Sequence, residues 1–182
     1  MKELSLHILD ITENSISAKA KQINIDVIEN ANLDLLKISI KDDGNGMDTN
    51  MLATVVDPFV TSRTTRKVGL GIPLLKAAAE SCNGSFSIQS QVGVGTQLDV
   101  VFQYSHIDRM PLGDLSSTML QMVVSNPQIH WIFKYQYNEH VFFFDDEPIK
   151  NELADISLTE PIILNFLRDL FETGISEARS EI

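Results

Sequence analysis

Two alternating runs, INIDVI and LLKISIKD, are joined by the turn cluster ENANLD, and they constrain the fold more than any other feature of the chain. Ile23, Ile25 and Val27 fall on one parity of the first run. In the second, Leu36, Ile38 and Ile40 alternate with Lys37, Ser39 and Lys41, the period of a half-buried strand. Joined by a turn, they predict an antiparallel hairpin with one apolar face, and that face needs a second layer to cover it. Suitable helices flank the pair. Residues 5–22 carry Leu6, Leu9, Ile16 and Ala20 at near-helical spacing, and DTNMLATVV reads as a short helix capped by Asp48 or Thr49. A further helix starts near Ile72, with Pro73 in its first turn and Gly84 just past its end. SFSIQSQ and TQLDVVFQY follow as strands around VGVG, the second alternating Leu98, Val100, Phe102 and Tyr104. The expected class is α+β: a two-layer α/β sandwich over residues 1–104, with mixed, largely antiparallel strands and one helical face.

The parity of the second run bears on function, because it ends in two adjacent aspartates. Asp42 continues the apolar parity and is expected to point inward; Asp43 continues the polar one and is expected to face water. A carboxylate on the core side of a strand needs donors. Gly44 and Gly46 let the backbone turn beside it and leave room for a ligand that offers N–H groups. The same stretch also reads as a plain strand-to-turn exit.

Composition narrows the partners. Among 182 residues there are 25 Asp and Glu against 14 Lys and Arg, a formal net charge of −11, with an ordinary 43% apolar content. Such a surface repels nucleic-acid backbone and anionic membranes, so neither is expected as a partner. Cys82 is the single cysteine, and there is neither a run of about twenty apolar residues nor a charged-then-apolar leader. The reading is a cytoplasmic protein.

Three clusters carry chemistry. Asp10 and Asn14 lie four apart on the first helix, hence on one face. An acid and an amide there suit a base and an oxygen ligand for Mg²⁺, though a solvated polar face gives the same pattern. In DPFVTSRTTRKVGLG, Arg63, Arg66 and Lys67 concentrate positive charge just before Gly69, Leu70 and Gly71 at a helix start. Free backbone N–H groups and the dipole favour anions there. In so acidic a chain this reads as a polyphosphate clamp, with a flexible polar loop as the alternative. Neither G-x-G-x-x-G after a strand nor G-x-x-x-x-G-K-[ST] is present. SQVGVGT supplies a third glycine cluster ending in Thr96, a hairpin turn from which Thr96 can reach a ligand.

The succession Asp10-x-x-x-Asn14, Asp42-x-Gly44-x-Gly46, DPF with a basic stretch into Gly69-Leu70-Gly71, and Gly93-x-Gly95-Thr96 resembles the ATP-binding domain shared by histidine kinases, gyrase, heat-shock chaperones and mismatch-repair ATPases, the GHKL group. PFVTSR…GLGIPLL is most similar to histidine kinases and anti-sigma-factor serine kinases, and DITENSISAKAKQINID to the mismatch-repair helix. The resemblance implies ATP and Mg²⁺ as ligands. It makes Asp42 the acceptor of the adenine amino group, Asn14 the Mg²⁺ ligand, and Asp10 the acid that activates water or a hydroxyl. Gly69 and Gly71 would give backbone N–H groups to phosphate, and Thr96 would support the adenine pocket. Asp10 stands where many members have the longer Glu.

No helical hairpin with a phosphoacceptor His is expected ahead of the domain, and His7 is expected to be a surface or packing histidine. No transducer domain with a phosphate-sensing Lys is expected in residues 105–182. The functional expectation is therefore a kinase acting on Ser or His of a separate partner, with an ATP-dependent conformational switch as the alternative. Residues 105–182 read as a helix over Leu115–Val124, a hairpin, and a helix capped by Thr159 and ending at Gly174. The hairpin puts Trp131, Phe133, Tyr135 and Tyr137 on one side and carries aromatics on both parities of HVFFFDD. Its own helices, an extension of the sheet, or another chain must cover it. Protein contact, with homodimerisation the expected form, is the reading taken for this region.

Overall fold

The computed structural model describes residues 3–56, 70–154 and 156–180. Among the described residues six strands form one sheet, in the order β3 (Ser85–Gln91), β4 (Gly95–Gln103), β2 (Leu35–Asp42), β1 (Gln22–Asn30), β5 (His130–Tyr137), β6 (His140–Asp145). The central hairpin is β1 (Gln22–Asn30) and β2 (Leu35–Asp42), antiparallel, with Ile25 opposite Ile40 and Val27 opposite Ile38. β4 (Gly95–Gln103) pairs with β2 and β3 (Ser85–Gln91) with β4, both antiparallel. Burial alternates along β1 and β2 as the two-residue period predicts, and the inward parity of Ile23, Ile25, Val27, Leu36, Ile38 and Ile40 is at most 2% exposed. The helices α1 (Leu4–Ser17) and α3 (Gly71–Ser81) cover that face, with α2 (Thr49–Val56) against α3. Asp48 caps α2, its Oδ1 accepting the Met51 N–H at 2.8 Å.

The first helix is shorter than its sequence pattern. It stops at Ser17, Lys19 turns at φ 60°, and Gln22 already belongs to β1. Asp43 explains the break. Its Oδ1 accepts the N–H groups of Lys21 (2.7 Å) and Gln22 (2.9 Å), which a continuing helix would have used internally.

Residues 105–180 complete the same sheet. β5 (His130–Tyr137) runs parallel to β1, with Ile25 opposite Phe133, and β6 (His140–Asp145) pairs antiparallel with β5. Trp131, Phe133 and Tyr135 are fully buried; Phe144 is buried and Phe142 half-buried, whereas Val141 and Phe143 are exposed. α4 (Leu115–Ser125) packs on α1 and α6 (Pro161–Arg179), and the segment before it caps the first helix: Pro111 and Leu112 carbonyls accept from Leu4 and Ser5 N–H at 2.9 and 2.8 Å. α5 (Asp146–Leu153) has no sequence signal beyond Asp145, whose side chain caps it.

The last helix corrects two expectations. α6 spans Pro161–Arg179, so Gly174 lies inside it, and its N-cap is Glu160 with no side-chain cap bond rather than Thr159. Gly174 is not a stop signal but a contact point, since a Cβ there would sit 2.2 Å from the Phe142 ring. The C-terminal end of α6 is tied down by a polar group in the core. Tyr135 Oη donates to the buried Glu29 carboxylate at 2.6 Å, and Arg179 Nη2 donates to the same oxygen at 2.7 Å. Burial, then the Glu29 carboxylate, push the Tyr135 pKa well up; burial alone would lower that of Arg179, but Glu29 holds it above its ordinary value. No described helix is long and apolar enough to cross a membrane.

Candidate functional site

Between α1, α2 and the sheet lies a cavity of ≈450 Å³, within the usual size of small-molecule sites. Its walls are apolar: Ile11 from α1, Ile40 and Leu98 from the sheet, Met51 and Val55 from α2, Ile72 from α3. The polar groups are few and come from separate elements. Asn14 and Ser15 enter from α1, Asp42 from the end of β2, Asn45 and Gly46 from the following turn, Thr96 from the start of β4.

Asp42 is 8% exposed and Asp43 is exposed, as the strand parity requires. The Asp42 carboxylate is already anchored, Oδ2 accepting from Ser15 Oγ at 2.6 Å and Oδ1 from the Gly44 N–H at 2.9 Å. Each carboxylate oxygen can accept twice, so a lone pair remains for a donor in the cavity. Thr96 stands directly across from Asp42 in the β2–β4 register. Its hydroxyl is 2.8 Å from Ser90 Oγ, which also accepts the Met47 N–H at 2.8 Å. Gly46, at φ +66°, brings the turn so close to β3 that a Cβ would lie 1.9 Å from the Gln91 carbonyl oxygen. Gly44 packs beside Ala18 and Asp42.

Asn14 is exposed at this cavity, and Asp10 sits one turn earlier, half-buried, away from the lining. Its Oδ2 lies 1.5 Å from where a Cβ of Gly71 would be, against the first residue of α3, and it has no hydrogen-bond partner among the described residues. Leu70 is the α3 N-cap residue and 57% exposed. Arg63, Arg66, Lys67 and Gly69 lie outside the described residues. His7 proves to be a packing histidine, 2% exposed. Burial is the main cause that lowers its pKa, with Asp10 and a backbone hydrogen bond at Gly71 opposing.

Ser15 lies within DITENSISAKAKQINID, but no site role was read for it from the sequence. It was legible only from its helical spacing with the buried Ile8 and Ile11, which turns it inward toward Asp42. Met47, Met51 and Ile88 gave no signal, because a turn, a short helix and an outer strand contribute them separately.

Residues 2–106 match the model of the histidine kinase-, DNA gyrase B-, and HSP90-like ATPase family. A Shewanella frigidimarina protein classed as a sensor protein is 32% identical over 110 residues, which are 59% of this chain and 17% of that protein. Sporulation kinase C of Bacillus subtilis is 29% identical over 93 residues, 51% of this chain and 22% of its own length. This chain therefore spans less than a quarter of either relative. Among solved structures, the MutL ATPase domain of Aquifex aeolicus complexed with ADP aligns over 95% of this chain and 70% of that one, with TM-score 0.53 and 12% identity. At that identity the likeness is one of fold. With a family match over more than half of the residues and the expected sheet, helical layer and cavity all present, the chain belongs to the histidine kinase-, DNA gyrase B-, and HSP90-like ATPases.

Proposed function

We propose that this chain binds Mg-ATP in the α1–α2–sheet cavity and transfers the γ-phosphoryl group to Ser or His of a separate protein. The observation that carries the reading is Asp42: a buried, anchored carboxylate with spare acceptor capacity at the polar end of an otherwise apolar cavity. An aminopurine fits that combination, its ring against Ile40, Met51 and Leu98 and its amino N–H on Asp42. Thr96, opposite Asp42, closes the same end. The phosphates then extend toward α3, where the peptide N–H groups at Leu70 and Gly71 and the helix dipole favour negative charge. Arg63, Arg66, Lys67 and Gly69 immediately precede them in sequence.

The donor set suits Mg²⁺ bound mainly by substrate. Asn14 offers one exposed carbonyl oxygen, and Mg²⁺ takes phosphate oxygens and waters for the rest. The ion supplies charge neutralisation at the phosphates. Asp10, against the start of α3, is placed to accept the proton of the attacking group. As the acceptor atom bonds to the γ-phosphorus, the bond to the β–γ bridging oxygen breaks and ADP leaves. A second reading, an ATP-dependent switch, draws support from Asp10 being one methylene shorter than Glu. In either reading, residues 105–182 would carry the protein contact, homodimerisation included.

Titration with ATP and its non-hydrolysable analogues tests the binding. Asp42→Asn should lose about ten- to a hundredfold in affinity, equivalent to about 1–3 kcal/mol, and Asn14→Ala should lose the Mg²⁺-dependent part. Wild-type affinity in both variants rules the site out. Labelled ATP incubated with a cell lysate then separates the two readings. A labelled protein band that requires Asn14 supports transfer; free phosphate alone supports the switch.

A further inference from the structure

β6 is the last strand in the sheet order, and its neighbours fix where its main-chain groups point. The His130 N–H donates to the Lys21 carbonyl and the Asn138 N–H to the Glu29 carbonyl, both at 2.8 Å. Even-numbered residues of β5 therefore turn their backbone groups toward β1 and odd-numbered ones toward β6. The Trp131 N–H, donated to Asp146 Oδ1 at 3.0 Å, follows the same rule. Tyr137, Tyr135 and Phe133 stand opposite His140, Phe142 and Phe144, which accordingly bond to β5. Val141, Phe143 and Asp145 alternate with them, so their N–H and C=O groups point out of the sheet. Among the described residues, neither Val141 nor Phe143 has a backbone hydrogen bond beyond its own sheet. Natural edges are guarded by lysine, proline, a bulge or a covering element. HVFFFD contains neither lysine nor proline, and Val141 and Phe143 are 52% and 60% exposed. The opposite edge, β3, alternates serine and glutamine on its exposed parity instead.

We propose that the β6 edge pairs antiparallel with the β6 edge of a second copy of this chain, about a two-fold axis at Phe143. This rests on the reading that residues 105–182 carry protein contact, and gives that contact its surface and register. Three features of the edge select a second copy. First, the open main-chain groups are spaced evenly about Phe143. A two-fold axis there sets Phe143 opposite Phe143 of the second copy and Val141 opposite its Asp145, so open groups meet open groups. Second, no free carboxylate meets another. His140–Phe144 carries none in a chain of net charge −11. The Asp145 carboxylate is already engaged, by His130 Nε2 at 2.8 Å and the Glu147 N–H at 3.0 Å. Third, the two uncovered Phe143 rings become cross-strand neighbours on one face of the joined sheets. The overlap is short, below the usual extent of a permanent interface, so the association is weak and concentration-dependent.

Cysteine cross-linking of the full chain reads the register directly, because the native Cys82 is buried. Phe143→Cys should form a disulfide-linked dimer under mild oxidation. Facing residues of a hydrogen-bonded antiparallel pair have Cα atoms about 5.5 Å apart, within disulfide reach. Val141→Cys should not link, since in this register its counterpart lies about 14 Å away along the strands. Sedimentation of the wild type should show a mass that rises with concentration toward a dimer. Phe143→Lys sets like charges opposite each other and should abolish that rise without lowering the melting temperature. A wild type that stays monomeric at every concentration overturns the proposal. So does a dimer that persists in Phe143→Lys, or one that cross-links as readily through Val141→Cys as through Phe143→Cys. Either of those two dimers would leave residues 105–182 free to make their contact through another surface, whereas a monomeric wild type also removes homodimerisation from that reading. None of these measurements involves ATP, so failure of the nucleotide reading shows separately, in the titration.

Discussion

Gly46 and Gly71 both lack room for a side chain, but for different reasons. At Gly46 the obstacle is backbone, the Gln91 carbonyl oxygen 1.9 Å from a Cβ, and φ is +66°. Gly46→Ala should therefore destabilise the chain by about 1–3 kcal/mol, read from the urea midpoint. At Gly71 the obstacle is the far end of a side chain, Asp10 Oδ2 at 1.5 Å. Asp10 can swing aside, so Gly71→Ala should leave the urea midpoint near wild type while ATP turnover falls by roughly tenfold or more. A Gly71→Ala protein with full turnover would show that the contact does not matter for chemistry. The same residue-level logic separates the paired aspartates: Asp42 faces the cavity, whereas Asp43 spends one oxygen on the backbone of residues 21 and 22 and fixes where α1 gives way to β1.

Among the elements, α6 shows how a local signal can mislead. Glycine inside a helix costs about 1 kcal/mol relative to alanine, and a glycine after an amphipathic stretch normally marks its end. Here the ring of Phe142 occupies the space beside Gly174. Phe142 is held edge-on by Phe133 and Phe171, with centroids 6.1 and 6.3 Å away. Gly174→Ala gains helix propensity but pushes a ring that cannot move freely, so the overpacking cost of about 1–3 kcal/mol should win. Thermal unfolding of the variant checks this; a raised melting temperature would mean that the ring yields.

For the molecule as a whole, the parallel pairing of β5 with β1 makes residues 105–180 part of the principal sheet. Removing them would turn β1 into an edge, expose the inward faces that α4 and α6 cover, and leave the Leu4 and Ser5 N–H groups without their acceptors. A chain ending near Tyr104 should lose cooperative unfolding or aggregate, although the family match covers only residues 2–106. Sedimentation and a urea titration of the shortened chain test this, and a stable, soluble, nucleotide-binding fragment would contradict it. The apolar side chains that the hairpin leaves exposed are Val141 and Phe143. If they carry self-association, Phe143→Ser should shift light scattering of the full chain toward monomer without changing its melting temperature.

Periodicity alone determined the inner sheet and its helical layer. Two-residue alternation fixed which way Asp42 points, and helical spacing put Asp10 and Asn14 on one ridge. These are local properties, set by backbone geometry within a few residues. The tertiary structure decided what local geometry cannot carry. It placed β5 beside β1, over a hundred residues apart in sequence, and covered Trp131, Phe133 and Tyr135 from within the chain. It assembled the cavity lining from six elements and set Asp10 against Gly71. Such contacts depend on which faces meet once the layers pack, and no single stretch of sequence contains both partners.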